Sequence, residues 1–190
     1  PSKGPLSAAG YNLGATGNSS FGYFASGFSR TTIVDRIDYS NDTATASERG
    51  NISYRPRCGA TSSQANAITA GTLFPASTAR DNIFPQGFDT GYFGGGYVTG
   101  NTPTSKVDRI DYSNDTATAS AKGPLSAAKY GLGSTGNTSF GYFGGGLPTV
   151  STVDRIDYSN DTPTASVKGP LSIARYSLAA SSAAANALPQ

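Results

Sequence analysis

Large and small side chains alternate along Tyr11-Asn12-Leu13-Gly14-Ala15-Thr16, the two-residue period of a β-strand. Gly17-Asn18 follows, a pair suited to positive φ in a tight turn. Ser20-Phe21-Gly22-Tyr23-Phe24 then reads as a second strand, so the two predict a hairpin. After a loop over 25–31, the β-branched stretch 33–39 predicts a third strand. Ser40-Asn41-Asp42 predicts a turn, and 43–47 a short fourth strand of Thr and Ala. Apolar residues never settle into three- and four-residue spacing, and Gly recurs too often for helices, so none is predicted in the repeated units.

The same pattern returns. VDRIDYSNDTATAS fills residues 34–47 and 107–120, and returns over 153–166 with Pro163 in place of one Ala. Lys122 to Lys168 is 46 residues, as is Val107 to Val153; Lys3 to Val34 and Lys122 to Val153 are both 31. A fixed period in this range marks a solenoid, a propeller or an array. The units run about 3–48, 49–121, 122–167 and, in part, 168–190. The second is longer: Val34 to Val107 is 73, with an excess of 23 before Gly91 and of 4 after it. The extra residues predict an insertion near 67–90. The fourth unit keeps KGPLSIARYSLAA, and the FGYF phrase does not follow. The chain opens in mid-phrase at Pro1, as a processed product or a fragment would.

Composition narrows the fold. Charged residues are 14% of the 190, against about 25% in an average domain, while Gly reaches 24. Few charges and many small residues suit close-packed strands with short turns, or a fibrous assembly, and 11 Tyr and 9 Phe at recurring places argue against simple disorder. The net charge is +2 with no basic stripe, which argues against nucleic-acid binding. No apolar run approaches a membrane span. A single cysteine, Cys58, has no partner for an internal disulfide.

The phrases match, in order and spacing, a kelch-type repeat. Phe140-Gly141-Tyr142-Phe143-Gly144-Gly145 resembles the kelch strand that ends in a glycine doublet. Residues 153–158 and 162–166 resemble the next two strands, and Gly169-Pro170-Leu171 with Arg175 resembles the link into the following blade. The resemblance covers the chain apart from the insertion. Three features depart from it: Ile37, Ile110 and Ile156 stand for the third-strand Tyr, Thr or Ala for the fourth-strand Trp, and Ala25-Ser26 for the first glycine doublet. The resemblance implies an all-β, kelch-like β-propeller of four-stranded antiparallel units, either a complete small ring or part of a larger one. Without the Trp, the repeated Phe and Tyr must carry the packing between units. The wording VDRIDYSNDTATAS with FGYFGGG also resembles repeat proteins of marine cyanobacterial viruses.

That second resemblance implies a structural virion component of tail-fibre or appendage type, at the virion surface and extracellular. It would present loops for host attachment and assemble with other virion proteins or copies of itself. The contacts would be with a host-surface glycan or protein. An alternative is a cellular kelch-like protein-interaction module. A glycan-processing propeller enzyme would need an acid pair that the sequence does not offer. His is absent, which removes the commonest general base and metal ligand. No enzyme, cofactor or metal is therefore predicted.

Several motifs carry two readings. Residues 38–43, 111–116 and 157–162 hold oxygen ligands at short spacing, yet lack the Gly and terminal Glu of a calcium loop; Asn-Asp is also ordinary turn chemistry. Asp35-Arg36, Asp108-Arg109 and Asp154-Arg155 predict either ion pairs between neighbouring units or a charged ligand surface. The glycine runs at 94–96 and 144–146 lack the Lys and helix of a phosphate loop, and suit close approach and positive φ. N-x-S/T at Asn18, Asn41, Asn51, Asn114, Asn137 and Asn160 fits turns or glycan acceptors. The insertion is the best binding candidate because it breaks the pattern: Leu73, Phe74, Arg80, Asp81, Asn82, Ile83, Phe84 and Phe88 are unique to it. It equally suits a role in sealing a blade or touching a neighbouring chain.

Overall fold

The structure, a computed structural model, describes residues 3–18, 20–25, 27, 32–54, 56–63, 89–98, 100–137 and 139–181. It is all-β. Sheet I comprises β1 (Gly14–Gly17), β2 (Phe21–Ala25), β3 (Val34–Asp38) and β4 (Ser47–Glu48). Sheet II is built on β5 (Gly59–Ser62) and β6 (Thr90–Gly94), with a separate hairpin of β7 (Tyr97–Val98) and β8 (Thr102–Pro103). It continues through β9 (Val107–Asp111) and β10 (Ser120–Lys122). Sheet III comprises β11 (Gly133–Gly136), β12 (Phe140–Gly144), β13 (Val153–Asp157) and β14 (Ser166–Lys168). Each four-stranded sheet is an antiparallel meander, and the registers repeat: Tyr23 pairs with Arg36, Tyr92 with Arg109 and Tyr142 with Arg155. The first strands of successive sheets lie side by side, β1 against β5 and β5 against β11.

The predicted strands shift where local chemistry competes. The third strand stops at Asp38, not Tyr39, because the Asp38 carboxylate accepts from Ser40 N at 2.9 Å and Ser40 Oγ at 2.6 Å. That cap turns Tyr39–Asn41 into one turn of 3₁₀ helix, repeated at Tyr112–Asn114. Hydrogen bonding to serine also holds the half-buried Asp38 and Asp157 carboxyls below their ordinary range. The fourth strand shrinks to Ser47–Glu48 because the residues before it bond to the inter-unit link instead: Gly4 N donates to Asp42 O and Ala46 N to Pro5 O. The excess of four residues in the second unit forms the β7–β8 hairpin, turned by Gly100 and Asn101 at φ 81° and 58°.

Alternation along each strand gives every sheet two packing faces. Tyr23 and Val34 point forward from sheet I into one apolar cluster; Phe93, Ile110 and Tyr112 point back into it from sheet II. Sheets II and III repeat the arrangement with Tyr92 and Val107 against Phe143, Ile156 and Tyr158. The FGYF strand therefore serves both neighbours, its Tyr forward and its second Phe back. Glycine is required where backbones close in: Gly95 and Gly145 sit at φ 67° and 65°, against the links that run to the next unit.

Candidate functional site: the joint between sheets

The chemistry-bearing residues of the repeated phrase meet between sheets. The 3₁₀ turn at the end of β9 presses Tyr112 onto Tyr23, with ring centroids 4.6 Å apart and planes 11° from parallel. Its hydroxyl lies 2.8 Å from Thr16 Oγ1. Three residues on, Asp115 Oδ2 accepts from Tyr23 Oη and Arg36 Nη1, both at 2.8 Å, and lies 3.6 Å from Arg49 Nε. The joint between sheets II and III is the same. Tyr158 stacks on Tyr92 at 4.9 Å and lies 3.0 Å from Thr61 Oγ1. Asp161 Oδ2 accepts from Tyr92 Oη at 2.9 Å and Arg109 Nη1 at 2.7 Å, and Lys122 Nζ is 3.3 Å from its Oδ1.

The predicted pairing of Arg with a carboxylate of the neighbouring unit is therefore present at both joints. The acceptor is the Asp of the Ser-Asn-Asp turn, a second role that the turn reading missed. Tyr39, Tyr112 and Tyr158 were likewise read as strand ends or turn flanks. The signal lay in the repetition of Asp-Tyr-Ser-Asn-Asp without change in three copies, where a turn alone asks only for Asn and Asp.

The other repeated acid anchors the links. Asp35 accepts from Ser7 N at 2.9 Å and Asp108 from Ser53 N at 2.7 Å. In sheet III the buried Lys129 ammonium sits 3.0 Å from the buried Asp154 carboxylate. The repeated carboxylates thus hold strands, turns and links together. Among the described residues no group of three or more acids and cysteines converges as a metal would require.

Burial sets the alkaline limit of the joint. Loss of solvent, with the adjacent Asp161 charge, pushes the Tyr92 phenol up to about 12. Tyr23 rises further, through burial and its bond to Asp115, and Tyr112 and Tyr158 rise through burial. Each raised value favours the neutral phenol in the fold. The contribution is complete below about pH 10, the ordinary tyrosine value, and is lost as pH rises through about 12. Circular dichroism and phenolate absorbance should therefore change together across that window. Full ionisation with the sheet spectrum intact would show that the joints do not hold these phenols.

The eight predicted binding residues, Leu73, Phe74, Arg80, Asp81, Asn82, Ile83, Phe84 and Phe88, lie outside the described residues. Both stems of the insertion are described. It leaves β5 and returns on β6, where Ser62 pairs with Gly91, the position that Gly17 and Gly22 hold around a short turn in sheet I. Ser63 N donates to Thr90 O at 3.0 Å, and Asn18 Nδ2 of sheet I donates to Asp89 Oδ1 at 3.1 Å. The insertion thus springs from one hairpin tip and is tied across to the tip beside it. Comparison with protein-family models and with curated proteins gives no significant match.

Proposed function

We infer that the chain is a structural component of a virion, of tail-fibre or appendage type, whose sheets are blades of a kelch-like propeller. It acts without catalysis. The blades form a rigid platform at the extracellular virion surface, and the insertion makes non-covalent contact with a host-surface glycan or protein. One observation carries this reading: the repeated tyrosines, arginines and aspartates are spent on joints and links, while the unrepeated apolar and charged residues gather in one segment leaving a braced hairpin tip. Binding surfaces are placed in this way on loops carried by a rigid scaffold.

The test replaces residues 63–90 by Asn137-Thr138-Ser139-Phe140, the tetrapeptide that joins the equivalent strands of sheet III. The platform should survive with a cost of about 1 kcal/mol or less, a melting shift of roughly 2–4 °C. Adsorption of the labelled chain to cyanobacterial cells, and to their extracted surface polysaccharide and surface protein, should disappear. Equal adsorption by both chains, or none by the parent, overturns the attachment role.

A further inference from the structure

The joint has two halves, and among the described residues sheets I and III each present one half that meets no matching half. The back face of sheet I bears Phe24, Ile37, Tyr39 and Asp42, in register with the residues that fill the joints from sheets II and III. Tyr39 is 53% exposed, whereas Tyr112 and Tyr158 in the same position are 6% and 2%. Among the described residues Asp42 holds the exposed Lys3, at 3.0 Å, in place of a tyrosine and an arginine. The front face of sheet III carries the reverse set. Tyr142 and Arg155 are half-buried where Tyr23 and Tyr92 are fully buried, and Arg155 lies flat over Phe140 at 4.1 Å as Arg36 lies over Phe21 at 4.2 Å.

We propose that these two faces bind each other between copies, so that a second copy docks its sheet I head-to-tail on sheet III. Tyr39 of one copy would stack on Tyr142 of the other, and Asp42 would accept from Tyr142 Oη and Arg155. A second copy fits as the occupant because its residues 34–47 bring to sheet III the same phrase that 107–120 bring to sheet I and 153–166 to sheet II. Charge complementarity and continuity with two formed joints specify the fit, and the contact is heterologous.

The link has room for one occupant. Residues 169–178 already run over sheet III as 123–132 run over sheet II: Gly146 N donates to Arg175 O as Gly96 N donates to Lys129 O. A docking copy brings residues 4–13 to that place. Both segments begin Gly-Pro-Leu-Ser, so either fills it and the other is released, an exchange of like for like.

The proposal stands apart from host attachment and is tested with the full chain. In sedimentation velocity the parent should exceed 19.4 kDa as its concentration rises. Asp42→Arg and Arg155→Asp should each stay at the single-chain mass, because each sets like charges across the joint. An equimolar mixture of the two should associate again, since every joint between unlike variants is complementary. Circular dichroism of each variant alone confirms the sheets, and regained association in the mixture excludes misfolding as the cause of the loss. A parent that remains single at millimolar concentration, variants that associate as the parent does, or a mixture that stays single would each overturn it.

Discussion

Asp161→Ala is expected to cost about 3 kcal/mol, the lower end for breaking a buried ion pair. Its carboxylate is 7% exposed and receives Tyr92 and Arg109, with Lys122 beside it. Truncation leaves two cations and a phenol facing an apolar joint. The lower end applies because the Arg109 side chain is 30% exposed and recovers part of its hydration. Asp42→Ala supplies the control. It is the same residue of the same phrase, yet it is 38% exposed and holds one exposed lysine, so its loss should cost less than about 1 kcal/mol. Urea unfolding of the two chains, at a concentration where the parent is single, measures the difference. Equal effects would show that the joint adds nothing beyond the turn.

Gly123→Ala should be at least as damaging, at about 3 kcal/mol. A Cβ there would fall on the carbonyl oxygen of Pro163, and at Gly50 on that of Ala117. The obstacle is backbone, so no rotamer relieves it. The contact exists because Gly123 N donates to Asp161 O at 2.9 Å, drawing the link against the turn. Gly169 holds the same place in the phrase with nothing within 4 Å of a built Cβ, and its φ is not positive. Gly169→Ala should therefore be neutral or stabilise by about 0.4–1 kcal/mol through the unfolded chain. Thermal melts of both variants decide the point; equal melting temperatures would remove the close approach as the cause.

Much of this was legible before any coordinates. The period located three sheets, Gly17-Asn18 located the first hairpin, and Arg36 and Arg109 were readable as partners for a neighbouring unit's carboxylate. The acceptor was not readable, because Asn-Asp satisfies turn chemistry by itself and leaves no residue to explain. Tyr39 falls in the predicted strand because a stretch rich in β-branched residues leads up to it; the Asp38 cap, a local side-chain choice, bends the chain there. The fourth strand was overextended because a Thr-Ala run has strand propensity and no sign that its backbone bonds to a link some forty residues earlier. The β7–β8 hairpin had its signal in Gly100-Asn101, hidden inside a mere excess of length. For the insertion, composition named residues that the described part of the structure approaches only from its two stems.

Apart from the cation that is Arg49 at one joint and Lys122 at the other, the joint is made from residues that each of the three full repeats encodes, with its forward half and its backward half in one repeated word. Unequal crossing-over between two repeats of the gene would add or remove one word and leave each remaining contact chemically unchanged. Length in this architecture can therefore change in a single genetic step, in whole units, with no compensating substitution.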